Sequence, residues 1–160
     1  MQIHIGAIGR LKNGPEKQLA AQYFDRVKKS GRAVGITGLD IKEYPESQNS
    51  TDAQRKAQEA EKLLAGCPPQ SVLIVLDEFG KDDSSIEFST MLAELKDGGT
   101  QSVSFLIGGP DGHDAQVLAK ATRKMAMGKK TWPHRLVRIM LAEQIYRAIT
   151  IMQNHPYHRA

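Results

Sequence analysis

Apolar and polar positions alternate from the first residues onward. Met1-Gln2-Ile3-His4-Ile5 has the two-residue period of a half-buried strand, and residues 2–9 read as the first strand. Two later runs, Ser71-Val72-Leu73-Ile74-Val75-Leu76 and Val103-Ser104-Phe105-Leu106-Ile107, are almost continuously apolar. That pattern belongs to strands covered on both faces. Between them lie helical signals. Pro15 suits the first turn of a helix running to about Lys29. Thr51 opens a polar helix that ends near Ala65, before Gly66 and Pro68-Pro69. Ser84-x-x-Glu87 is a capping-box pattern ahead of Phe88, Met91, Leu92 and Leu95. Residues 34–44 lean towards strand despite Gly35 and Gly38, Asp114 can cap a short helix to about Thr122, and Met125-Ala126-Met127 reads as a last short strand. Pro133 opens a terminal helix reaching about Gln153. Strands alternating with helices predict an α/β fold, a parallel sheet covered by helices, in a single domain over residues 1–160.

The terminal helix is apolar around most of its circumference: Leu136, Val137, Ile139, Met140, Leu141, Ile145, Ile149, Ile151 and Met152. A helix with one solvent face shows a narrower stripe. Either the helix is buried wholly within the domain, or one face packs on the sheet and another on a second subunit. In a chain of this size a homodimer is the favoured expectation.

Composition changes this picture little; charge changes it more. At 40% hydrophobic and 25% charged residues, with no apolar run near 18 residues, neither disorder nor a membrane span is expected. No signal-peptide pattern opens the chain, and Cys67 is the single cysteine, so a reducing cytoplasm is the simplest setting. The net charge of +4 conceals an asymmetry. Residues 1–119 carry 13 Lys/Arg against 17 Asp/Glu, whereas residues 120–160 carry nine against Glu143 alone. Three of the five histidines lie in that last stretch. A one-ended basic field fits a polyanion such as nucleic acid, or a merely solvated basic face.

Candidate chemistry collects on three loops and the tail. Leu76-Asp77-Glu78-Phe79-Gly80-Lys81 and Gly108-Gly109-Pro110-Asp111-Gly112 follow the two most buried strands. Ligands of open α/β sheets sit at strand carboxyl ends. No GxGxxG, GxxxxGK[ST] or GxSxG pattern occurs, which excludes the usual dinucleotide, P-loop and serine-hydrolase readings. Asp77, Glu78, Asp82 and Asp83 read as loop and cap acids rather than a metal site. Gly128-Lys129-Lys130-Thr131-Trp132-Pro133-His134 is a basic loop leading into the terminal helix, where Glu143 and Arg147 are spaced to pair. The chain closes on His155-Pro156-Tyr157-His158-Arg159-Ala160, a rigid, ring-bearing, cationic tip where chain ends usually fray.

In this order and spacing, these motifs resemble the RlmH family of SPOUT methyltransferases. The resemblance is carried by Leu76-Asp77-x-x-Gly80-Lys81, by Leu106-Ile107-Gly108-Gly109-x-x-Gly112, and by the block from Thr131 to the end, including Tyr146-Arg147-Ala148 and Asn154-His155-Pro156-Tyr157-His158-Arg159. It implies a homodimeric enzyme with a C-terminal trefoil knot, transferring a methyl group from S-adenosylmethionine to N3 of a pseudouridine in large-subunit ribosomal RNA. The cofactor contacts it implies are Leu76, Gly108, Gly109 and Met127, Gly128, Lys129, Lys130, Thr131 and Trp132. Ala126 and Gly128 stand where serines are common in relatives, so contacts from this loop are expected from its backbone. A non-catalytic ribosome-binding module on the same fold is the alternative.

The chemistry asks the protein to align a nucleophilic nitrogen with an activated methyl group and to remove the N3 proton. His158 is the expected base or relay. Tyr157 is expected to stack on or hydrogen-bond the target base, and Arg147 to bind phosphate or stabilise the developing anion. Arg159, His155 and Arg138 are the expected RNA contacts. No metal is implied.

Overall fold

The structure, a computed structural model, describes residues 1–159. Its strands are β1 (Gln2–Ile8), β2 (Gly38–Tyr44), β3 (Val72–Asp82), β4 (Ser102–Ile107) and β5 (Arg123–Ala126). Its helices are α1 (Pro15–Ser30), α2 (Asp52–Ala65), α3 (Ser85–Asp97), α4 (Ala115–Lys120) and α5 (His134–Met152). The strands form one sheet in the order β2-β1-β4-β3-β5, and every neighbouring pair is parallel. This is the α/β architecture that the alternation of elements predicts.

The alternation in β1 places Ile3, Ile5 and Ala7 on one face, where they join Phe88, Leu92, Phe105, Leu141, Ile145 and Ile149. Helices α1, α3 and α5 therefore cover that face. The opposite face is closed by Ala60 and Leu63 of α2 and Val117 of α4, packed on Ile8, Val75 and Leu106. Strands β1 and β4 lie inside the sheet and are covered on both sides, which is why β4 reads as a nearly unbroken apolar run.

Three boundaries differ from the sequence reading, the simplest being β5, which spans Arg123–Ala126 rather than Met125 to Met127. Residues 34–37 do not join β2, because Gly31–Val34 form a 3-10 turn that Gly35 ends in a left-handed conformation (φ 80°). Strand β3 continues past Leu76, because Lys81 and Asp82 pair again with Met125 and Ala126 after a register shift. The Thr51 cap and the Ser84–Glu87 capping box form as expected.

Helix α5 lies over the sheet between α1 and α3, burying Arg138, Ile139, Leu141, Ala142, Ile145, Ala148, Ile149 and Thr150. Most of its apolar breadth is thus used within the chain, while Leu136 stays 39% exposed. Arg138 anchors the start of α5. Its side chain is fully buried, with Nη1 donating to Glu43 Oε1 at 2.5 Å and Nη2 donating to the Ile8 carbonyl at the end of β1.

Removing one member of a buried ion pair leaves the other charge unpartnered, at a cost of roughly 3–5 kcal/mol. Arg138→Ala is expected to lower the unfolding free energy by about that amount in urea titration, whereas Arg135→Ala, at an exposed position of the same helix, should change it by about 0.5 kcal/mol or less.

Candidate functional site

The site grows from strand register. Leu76 of β3 lies opposite Ile107 of β4 on one side and Met125 of β5 on the other. At Leu76 the β3 register is interrupted before the strand pairs again at Lys81 and Asp82, and Gly108 directly after β4 and Met127 directly after β5 leave the sheet at the same carboxyl edge.

The glycine loop is a tight structure. Gly112 N donates to Gly109 O at 3.0 Å, and Gly112 has φ 80°, a conformation in which glycine carries no side-chain penalty. Gly109 packs so closely that a Cβ there would come 2.9 Å from Glu59 Oε2. Helix α2 holds the loop from behind. Arg55 Nε and Nη2 donate to the two oxygens of Asp111 at 2.6 and 3.1 Å, a bidentate pair. Glu59 is buried; Oε1 accepts from Ser47 N at 2.8 Å, whereas Oε2 has no hydrogen-bond partner among the described residues. Burial, only partly opposed by that bond, raises the Glu59 pKa. His113 completes the loop, with its Nε2 3.1 Å from the Leu76 carbonyl. Burial lowers its pKa, so the ring is neutral and Nε2–H is the donor. Sequence reasoning missed Arg55, Glu59 and His113. Only their proximity in the fold reveals them, although the i, i+4 spacing of Arg55 and Glu59 places both on one face of α2.

The loop after β5 is fastened to the loop after Leu76. Gly128 N donates to Asp82 Oδ1 (3.0 Å), Thr131 Oγ1 donates to Glu78 Oε2 (3.3 Å), and Trp132 Nε1 closes the loop on Met127 O (2.9 Å). Asp83 is buried and paired with Lys81 and Arg123. These acids act as loop and cap acceptors, as their sequence context implies. Residues Lys129 to Trp132 are exposed, with the Thr131 and Trp132 side chains held by their hydrogen bonds to Glu78 and Met127. A cavity of about 470 Å³ opens at this loop, bounded by Asp82–Ser85 and Met125–Gly128 and, on the helical side, by Met140, Glu143 and Tyr23. No Lys, Arg or His lines it. Leu76, earlier on β3, and Gly108 and Gly109, after the neighbouring β4, do not line it.

The tail reaches the far side of that cavity. Glu143 Oε1 accepts from Arg147 Nη2 at 2.5 Å and from Tyr157 Oη at 3.1 Å. The Tyr157 ring meets Tyr146 edge-on at 4.9 Å, and the Arg147 guanidinium lies over it at 4.9 Å. Burial, the nearby Tyr23 hydroxyl and the Glu143 carboxylate all push the Tyr157 phenol up, so it is a donor and not a base. Glu143 is thus more than a helix pair: it ties α5 to the tail. His155 is exposed, and its Nδ1 accepts from Tyr157 N at 3.2 Å. Arg159 is exposed. Both ring nitrogens of His158 are buried and have no hydrogen-bond partner among the described residues. Arg138 does not join this group. The expected RNA contact is instead the buried partner of Glu43, out of reach of a polyanion.

A family model described as "Predicted SPOUT methyltransferase" matches residues 1–158. The Ribosomal RNA large subunit methyltransferase H of Rhizobium leguminosarum bv. trifolii is 48% identical over 159 residues, covering 99% of each chain. The protein of that name from Sinorhizobium fredii is 48% identical over 160 residues, the full length of both. Among solved structures, a probable methylase family protein from Haemophilus influenzae Rd KW20 superposes over 99% of this chain and 70% of its own, with a TM-score of 0.51 and 12% identity, a likeness of fold alone.

The Glu59 shift has a definite sign. A carboxyl whose folded pKa is raised binds its proton more tightly in the native state, so stability is lost as pH rises from the unfolded value through the folded one. Glu59→Gln keeps the acceptor for Ser47 N but cannot ionise. Denaturant titrations should find the variant as stable as wild type or more so at pH 7, with the difference closing as pH falls below about 4, the ordinary carboxyl range.

Proposed function

The chain belongs to the SPOUT methyltransferases and, within them, to the ribosomal RNA large subunit methyltransferase H family, and from that premise we propose that it methylates large-subunit ribosomal RNA with S-adenosylmethionine, at N3 of a pseudouridine. The observation that carries the proposal is the placing of the loops after Leu76, β4 and β5 on one edge of the sheet, with a cavity between the β3 and β5 ends that reaches Glu143, the residue that holds Tyr157 of the tail.

The residues fit the cofactor. The cavity beside Gly128 is lined by Asp82, Asp83 and Glu143 and by apolar side chains, without a cationic residue, which suits a cationic ligand of small-molecule size. A Cβ at Gly128 would meet nothing within 4 Å, so ligand can approach the backbone there. Met127 and Gly128 line this cavity; Leu76, Gly108, Gly109 and residues 129–132, which do not, are proposed as further holders on the family resemblance, through main-chain groups. Lys129, Lys130, Thr131 and Trp132 are exposed and do not line the cavity. S-adenosylmethionine supplies, when bound, a methyl group already activated by its sulfonium.

The chain's own work is alignment and proton removal. Arg147 is held by Glu143 and charged, ready to face phosphate or a developing imide anion. Tyr157 is a protonated donor beside it. His158 is the proposed base: both its ring nitrogens are buried without a hydrogen-bond partner among the described residues, so a substrate engages one of them only as the tail shifts. His155 and Arg159, both exposed, are proposed RNA contacts. A homodimer belongs to the same reading and is supported by Leu19 and Leu136, apolar yet about 40% exposed. A threaded C-terminal region is supported by the close pass of Gly80 over β5, where a Cβ would come 2.5 Å from Met125 N. A ribosomal substrate sets the action in the cytoplasm, and among the described residues no helix is long and apolar enough to cross a membrane.

Mass mapping of ribosomal RNA from a strain lacking the gene should find one methyl-pseudouridine missing, restored by the purified protein and cofactor. A normal methyl-pseudouridine in that strain sinks the proposal. Truncation after Gln153 should reduce turnover at least about 100-fold, the usual range for losing acid–base assistance, while calorimetry finds S-adenosylmethionine affinity within about threefold of wild type. His158→Ala alone should slow single-turnover transfer by a similar factor with both substrates saturating; an unchanged rate excludes it as base.

A further inference from the structure

Phe79 is 89% exposed, the most exposed large apolar side chain among the described residues. A lone exposed apolar residue is ordinary. This one, however, is displayed by a built turn. Asp77 Oδ1 accepts from Phe79 N at 2.8 Å, a local closure that fixes the backbone. The next residue, Gly80, is pressed against the β5 main chain. Between these anchors the ring is held out into water.

The neighbouring loop brings compatible groups. The Thr131–Glu78 and Gly128–Asp82 hydrogen bonds set residues 128–132 beside the Phe79 turn. That loop exposes Lys129, Lys130 and the Trp132 ring. Neither lysine makes an ion pair among the described residues. Asp77, Glu78, Asp82 and Asp83 are each already engaged by protein donors. The surface therefore presents two aromatic rings and two free ammonium groups. Aromatic faces with adjacent cations suit single-stranded nucleic acid, whose bases stack while its phosphates pair. A protein partner fits less well, since lysine is depleted from the cores of such interfaces.

We propose that Phe79 and Trp132, with Lys129 and Lys130, form a platform for unpaired RNA beside the cofactor loop: Phe79 stacks on a base flanking the methylated nucleotide, and the lysines take adjacent phosphates. The backbone of residues 127–132 then serves the cofactor while its side chains serve the RNA. The inference rests on the rRNA-methyltransferase reading.

The test is single-turnover transfer of labelled methyl from S-adenosylmethionine to ribosomes purified from a strain lacking the gene, followed against ribosome concentration. Phe79→Ala should raise the half-saturating ribosome concentration about tenfold, as loss of one stacked base does, with S-adenosylmethionine affinity by calorimetry unchanged. Phe79→Tyr should restore it, and Phe79→Leu, apolar without a π face, should not. Lys129→Glu with Lys130→Glu should weaken ribosome binding and flatten its salt dependence. Wild-type half-saturation in Phe79→Ala or Phe79→Leu overturns the platform, as does a change of oligomeric state on sedimentation, which would make Phe79 a subunit contact. A wild-type protein that transfers methyl while Phe79→Ala equals it loses only the platform; a wild-type protein that transfers none loses both.

Discussion

Parallel register is the constraint on which the site depends. Leu76 lies opposite both Ile107, the last residue of β4, and Met125 of β5, so the loop after β4 and the stretch of β3 beyond Leu76 begin at one level of the sheet. Everything functional then follows from what leaves that level. A one-residue slip would turn the buried side chains of β4 to the wrong face. Burial on both sides of the sheet therefore fixes the register, and the register fixes the loops. The contacts between loops come second: His113 to Leu76, Gly128 to Asp82, Thr131 to Glu78.

Around that edge the chain divides its labour. Helix α2 braces the glycine loop from one side through Arg55 and the close approach of Glu59. Helix α5, locked at its start by Arg138, brings Glu143 to the cavity, where it pairs with Arg147 and accepts from Tyr157 of the tail. The tail and the β5 loop carry Arg159, Lys129 and Lys130, exposed cations that form no ion pair among the described residues.

Much of this was legible beforehand. The apolar runs gave β3 and β4, and the caps at Thr51, Ser84 and Asp114 marked three helix starts. Two of the loops were identifiable because glycines followed buried strands, and the third because a basic stretch, Gly128-Lys129-Lys130, led into a helix opened by Pro133. What escaped was set by tertiary contact. The second pairing of β3 at Lys81 and Asp82 depends on β5, which is distant in sequence. Arg138 carries no local sign that Glu43, 95 residues away, would take it into the core. Glu59 and Arg55 read as ordinary polar positions on a polar helix until the glycine loop lies against them. The tail's chemistry was visible as composition, but its grip on Glu143 was not.

The central claim is that the three strand-end loops are one ligand site. Amide chemical-shift mapping of the labelled protein during titration with S-adenosylmethionine tests it most directly. Saturable shifts concentrated at Leu76, Gly108, Gly109 and residues 127–132 are the predicted result. Saturable shifts confined to other surfaces, or none at millimolar ligand, would contradict it.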